Sequence, residues 1–243
     1  MINVEDVEGV AVMSLAHGKV NALDLELLQA ITTTINGLAD ANAVVITGAG
    51  RAFCAGVDLK RMVDDGPAYV GAFLPALSEA LLAVFDLPRP VVAAVNGHAI
   101  AGGAILAMAA DVRLMSGGTI GLTELLVGVV FPAGPYGIAH HVAGNHLQNL
   151  VLTGRTFGPD EAAAMGIVDA VVAPEDVVTQ AVAEARTLAR IETDAYAATK
   201  AQVHTPARAL IRSLEPADAD VIASWSSDKV LGGMRAYLES LAR

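Results

Sequence analysis

Backbone amides, more than side chains, are the chemistry this sequence offers first. Three glycine-rich turns stand out: Gly48-Ala49-Gly50, Cys54-Ala55-Gly56-Val57-Asp58-Leu59 and Ala101-Gly102-Gly103. The first follows an apolar run in the manner of a dinucleotide-binding turn. It fails that pattern because Phe53 stands where Gly or Ala should open the helix. In the other two, small residues let the main chain approach a ligand closely. Two such turns can each aim an N–H at one point, the requirement for an oxyanion hole. The second donor also gains from the N-terminus of the helix that Gly102 opens. The remaining reactive side chains form no comparable group. His140, His141 and His146 have neither metal-ligand spacing nor a nearby cysteine. His98 follows the Asn96-Gly97 turn and reads as a loop histidine. Cys54 reads as packing, and Asp111 and Arg113 as braces of a strand end. Ser14, Ser78 and Ser116 lack a nucleophile-elbow context.

The elements that must position these turns alternate between strand and helix. Val10 to Leu15, Ala43 to Thr47, Val91 to Val95 and Asp111 to Met115 read as strands. Asn21 to Asp40 reads as a helix, with Leu28, Ile31, Ile35 and Leu38 at helical spacing and Asn21 or Asp24 as its cap. Ala68 to Leu87 reads as another, interrupted or begun near Pro75 and stopped by Pro88 and Pro90. The apolar stretch Val91 to Val112 is broken by Asn96-Gly97 into strand, turn and helix, so it is not read as a membrane span. This order predicts an α/β core over residues 1–174 with buried strands. Residues 175–243 predict a helical region: Glu175 to Arg190, Thr193 to His204 and the remainder to Arg243. The sequence leaves open whether this tail folds over its own core or packs against another subunit.

Composition bounds the possible partners. The 243 residues are 54% hydrophobic, 17% charged and 4% aromatic, enough apolar material for a large core. Fifteen basic residues against 26 acidic ones give a net charge of -11, which argues against nucleic acid as a partner. No polybasic cluster points to a membrane surface. A single cysteine excludes an intrachain disulfide, and the acidic start lacks the features of a signal peptide. A cytoplasmic setting is the expectation.

Longer segments carry a resemblance. Arg51 through Leu59, and Ala94-Val95-Asn96-Gly97-His98-Ala99-Ile100-Ala101-Gly102-Gly103-Ala104, resemble the two signatures of the crotonase (enoyl-CoA hydratase/isomerase) superfamily. Leu152-Thr153-Gly154 through Gly166-Ile167-Val168-Asp169 resembles a third, and Gly18 through Leu23 the early Asn-Ala-Leu segment. The matches keep the family's order and cover nearly the whole chain. The resemblance implies a spiral of ββα units with a C-terminal helical trimerisation region, forming a homotrimer or a dimer of trimers. It implies an acyl-CoA thioester as substrate, with its carbonyl oxygen between the N–H groups of Val57 and Gly102. The loop Ala55, Gly56, Val57, Asp58 and Leu59 would line the CoA, together with Gly102 and Thr123. Lys60 would assist a CoA phosphate or stand as a solvated surface lysine. No metal and no separate cofactor is implied, since coenzyme A is part of the substrate.

The same resemblance speaks to the reaction. Hydratases of this family use two glutamates. The position similar to the first is Ile105, flanked by apolar residues, and the position similar to the second is Glu124. A lone carboxylate suits a proton shuttle better than the addition of water. The pattern resembles the 3,2-trans-enoyl-CoA isomerase branch, as do Trp225-Ser226-Ser227-Asp228-Lys229 and Met234. Thr123 departs from it, that branch often having Asn there. Apolar Leu122, Leu125, Leu126, Val129 and Phe131 are expected to raise the Glu124 pKa. Without the resemblance, Glu124 would read as an exposed acid capping a helix. Enoyl-CoA isomerisation is the resulting expectation. A hydratase-like enzyme and a catalytically silent acyl-CoA-binding protein are the alternatives.

Overall fold

The computed structural model describes residues 1–241; Ala242 and Arg243, at the end of the expected helical tail, lie outside the described residues. Two sheets form the frame. The larger has the strands β1 (Ile2–Val7), β2 (Val10–Leu15), β3 (Val44–Gly48), β5 (Val91–Val95), β7 (Val112–Met115) and β10 (Ala170–Val171), in that order. It is parallel except for the β1–β2 hairpin. The smaller has β4 (Ala52–Cys54), β6 (His98–Ile100), β8 (Ile120–Gly121) and β9 (Thr156–Phe157). Here β4, β6 and β8 run parallel and β9 returns antiparallel.

Both faces of the larger sheet are covered, so its central strands β3 and β5 are buried throughout and mostly apolar. Along β3, Val44 and Ile46 face one core, shared with α1 (Leu25–Gly37), α2 (Leu59–Phe85), α3 (Gly102–Met108) and α4 (Ala133–Ala143). Val45 faces the other, where α7 (Val177–Leu188) lays down Val177, Ala181, Val182 and Ala185. Between these come α5 (Leu147–Thr153) and α6 (Pro159–Ala164). The chain closes with α8 (Thr193–Leu214), α9 (Asp218–Trp225) and α10 (Asp228–Leu241). These three pack on their own chain: α8 on α4, α9 on α2, and α10 on α2 and the short turn at Glu124. The docking of α8 is polar as well as apolar. Lys200, 7% exposed, bridges Asp111 at 2.9 Å, and the His204 ring stacks on Phe85 at 3.6 Å.

Helix α1 starts later than its pattern suggested. Asp24 is its cap, accepting from the Leu27 N–H at 2.8 Å. Asn21 serves the glycine loop instead, donating to the carbonyls of Ala52 and Phe53 at 3.1 and 3.2 Å. Helix α2 starts earlier than expected. Asp58 caps it, and the Asp65-Gly66-Pro67 breaker only kinks it, Gly66 taking φ 70°. By length and composition α2 could cross a membrane, but half of its most apolar window is buried inside the fold. Val91 to Val112 resolves into β5, β6 and α3.

Candidate active site

The smaller sheet aligns three loops. Its parallel ladder pairs Cys54 with Ala99, Ala99 with Ile120, and Ile100 with Gly121. Each strand then runs out at the same edge. From the row that joins Cys54, Ala99 and Ile120, Val57 lies three residues on, Gly102 three and Glu124 four. The carboxyl ends of parallel strands are where open α/β sheets gather ligand groups.

Missing side chains set the closeness of the first two loops. A Cβ on Gly56 would stand 2.5 Å from the Ile100 carbonyl oxygen, and one on Gly103 2.1 Å from that of Cys54. Main chain rests directly on main chain at both points. A Cβ on Gly102 would meet Leu23 Cδ1 at 3.0 Å and Val57 Cγ2 at 3.9 Å, so Val57 and Gly102 are neighbours. The Asn-Ala-Leu segment clamps the Val57 loop from the other side. The Leu23 N–H donates to the Gly56 carbonyl at 2.7 Å, and the Asp58 N–H to the Leu23 carbonyl at 2.9 Å. This bridge turns the Val57 N–H away from Leu23. Gly102 is the first residue of α3, with Ala101 before it at φ 50°. Among the described residues no acceptor meets the Val57 or Gly102 N–H. Two free amides beside each other, one at a helix start, can receive developing negative charge on an oxygen.

Glu124 opens a four-residue 3-10 turn, Glu124–Val127. It is 9% exposed, and its Oε2 is buried with no hydrogen-bond partner among the described residues. Burial pushes its pKa up to about 8, offset in part by its own backbone N–H. This is not an exposed cap. The only other buried acid among the described residues, Asp24, is engaged by Leu27 and by His17 at 2.6 Å. The apolar shell differs from the expected one. Leu122 and Val129 are buried, but Leu125 and Leu126 turn outward at 40% and 55% exposure. A single short turn cannot point successive side chains the same way. Helices α5 and α10 pack against the turn, with Leu150 and Met234 among their buried residues. Ile105 is fully buried in α3, so no carboxylate stands there.

The other expected contacts divide. Ala55 donates to the Val20 carbonyl at 3.0 Å, and Asp58 is occupied as the α2 cap. Leu59 is the first residue of α2, and Lys60 beside it is exposed and paired with Asp64. Thr123 precedes Glu124, and its side chain makes no capping bond. His98 is exposed and bonds Thr119, and His141 of α4 packs edge-on against Phe85 of α2. Cys54 is buried, its thiol pushed up to about 12 and donating to the Asn21 carbonyl. Two features escaped sequence reasoning. One is the Asn21 bridge. The other is Trp225, whose indole N–H reaches the Val130 carbonyl at 2.8 Å.

Comparison with known proteins accords with this arrangement. The family described as enoyl-CoA hydratase/isomerase matches residues 5–242. The chain belongs to the enoyl-CoA hydratase/isomerase family. It is 34% identical over 242 residues to probable enoyl-CoA hydratase EchA17 of Mycobacterium tuberculosis, covering 96% of this chain and 86% of that one. It is 30% identical to the human mitochondrial enoyl-CoA delta isomerase 1, covering 96% and 80%. The crystal structure of human mitochondrial delta3-delta2-enoyl-CoA isomerase superposes with a TM-score of 0.91 at 29% identity, over 99% of this chain and 98% of that one. Probable enoyl-CoA hydratase EchA3 of M. tuberculosis gives 0.84 at 32% identity, over 90% and 94%. The architecture is the crotonase fold, as the motifs implied, and the likeness extends to the isomerase branch of this enoyl-CoA hydratase/isomerase family.

Proposed function

We propose that this enzyme is a 3,2-enoyl-CoA isomerase with Glu124 as its proton shuttle. The observation that carries the reading is a lone, buried carboxyl of raised pKa whose Oε2 has no partner among the described residues, with apolar Ile105 at the position where a second acid would stand. Glu124 takes a proton from carbon-2 of a 3-enoyl thioester. The resulting dienolate places negative charge on the thioester oxygen, which the Val57 and Gly102 N–H groups receive. Glu124 then returns the proton at carbon-4, leaving the double bond between carbons 2 and 3. Only a proton moves, so the step asks for no metal and no redox cofactor. A base with a pKa near working pH suits both halves of this exchange. On the same reading the loop Ala55 to Leu59, with Lys60, Gly102 and Thr123, lines the CoA. The protein works in the cytoplasm as a homotrimer or a dimer of trimers.

A second reading, hydration of 2-enoyl-CoA, is favoured by the name of the M. tuberculosis relative. Glu124→Gln is the direct test. The expected outcome is an isomerase loss of at least about 10²-fold with acyl-CoA binding retained. Unchanged isomerisation would remove Glu124 from the mechanism. Hydration by the unaltered enzyme at a rate matching isomerisation would select the second reading.

A further inference from the structure

Two contacts from distant sequence grip the segment that follows Glu124. The Trp225 indole Nε1–H donates to the Val130 carbonyl at 2.8 Å, and Asp218 Oδ1 accepts from the Ala133 N–H at 2.9 Å. These residues stand at the two ends of α9. The other end of the gripped stretch returns to the turn itself. The Val129 N–H donates to the Glu124 carbonyl, and the Gly128 N–H to that of Leu125, each at 3.2 Å. The link from turn to α4 is thus tied at both ends. It needs such ties. A 3-10 turn of four residues has poor internal bonding. With Leu125 and Leu126 turned outward, its own apolar side chains anchor it weakly. Trp225 is only 2% exposed, so its N–H has no water to exchange for the Val130 carbonyl. Charge near the turn is sparse. Helix α5 has no charged side chain, and Asp228, Lys229, Arg235 and Glu239 of α10 are all exposed.

We propose that Trp225 and Asp218 are positioning residues that hold the Glu124 carboxyl against carbon-2 of the bound thioester. The proposal rests on the isomerase reading. Trp225→Phe keeps an aromatic ring and deletes the donor. It is expected to lower kcat for isomerisation at least about 10-fold with KM little changed, since small displacements of a catalytic group are costly. Asp218→Ala should act in the same direction. Asp218→Asn should recover most of that loss, because its amide oxygen still accepts from Ala133. A readout independent of turnover is the titration of the Glu124 carboxyl by 13C NMR, assigned with Glu124→Gln. As the turn loosens and water reaches the acid, its pKa in Trp225→Phe falls from about 8 toward the ordinary range. A lower Tm with wild-type kcat and wild-type titration in Trp225→Phe and Asp218→Ala would overturn the proposal. If Trp225→Phe does not fold, the two Asp218 variants decide alone. Absence of isomerisation by the unaltered enzyme would remove the isomerase reading, and full activity in Glu124→Gln would remove Glu124 as its shuttle, whereas the titration judges the grip by itself.

Discussion

Burying Glu124 has a consequence for folding as well as for chemistry. Its pKa rises from 4.5 to about 8 in the folded chain. Between those values the folded state holds a proton at this site that the unfolded state has released. Stability therefore falls as pH rises through that window and levels off above it. Below pH 4.5 both states are protonated and the difference vanishes. Glutamine cannot ionise, so Glu124→Gln should gain stability relative to the unaltered enzyme as pH increases from 5 to about 8.5. Urea midpoints at the two ends of that range measure it. Parallel midpoints would mean that the carboxyl ionises at its ordinary value. The enzyme thus gives up stability at the residue on which its proposed reaction depends.

At the scale of elements, the site is two turns pressed together. Gly103 sits where a Cβ would strike the Cys54 carbonyl, and the fully buried α3 has no room to retreat. Gly103→Ala should cost at least about 1–3 kcal/mol, the usual range for overpacking. It should also weaken acyl-CoA binding by parting the Val57 and Gly102 amides. Denaturant unfolding and titration with a CoA thioester test the two effects, and an unchanged protein would show that α3 and β4 can separate freely. Much of this site could be read in the residues beforehand. The two glycine loops are local motifs, and Glu124 lay in a matching segment. The strands β2, β3, β5 and β7 announced themselves as apolar runs. Strands of two or three residues such as β6, β8 and β9 carry no period, so they were invisible. So were the Asn21 bridge and the Trp225 bond, which join residues 31 and 95 positions apart. The early start of α2 was hidden by Gly66, which kinks the helix without ending it.

At the scale of the molecule, the C-terminal helices fold back on their own chain, and α10 closes over the Glu124 turn. An apolar region beside the site is open in the single chain. Leu126 and Leu152 are 55% and 67% exposed, and Leu126 also lies against Gly154, just beyond Leu152. Exposed apolar surface of this kind commonly marks a protein contact. It supports the proposed trimer, with the contact beside the site. Sedimentation velocity should show a trimer or hexamer, and Leu152→Glu should shift it toward smaller species at matched concentration. A monomeric wild-type protein would refute the assembly.

That Val57, Gly102 and Glu124 follow three, three and four residues after one laddered row also decides which changes the chain can absorb over time. A side-chain replacement in these loops leaves the spacing of the strand ends intact. Removing or adding one residue between a strand end and its group displaces that group by up to about 3.3 Å, more than a hydrogen bond tolerates. Sequence drift around this centre should therefore be generous in residue type and strict in length, with insertions and deletions collecting elsewhere on the surface.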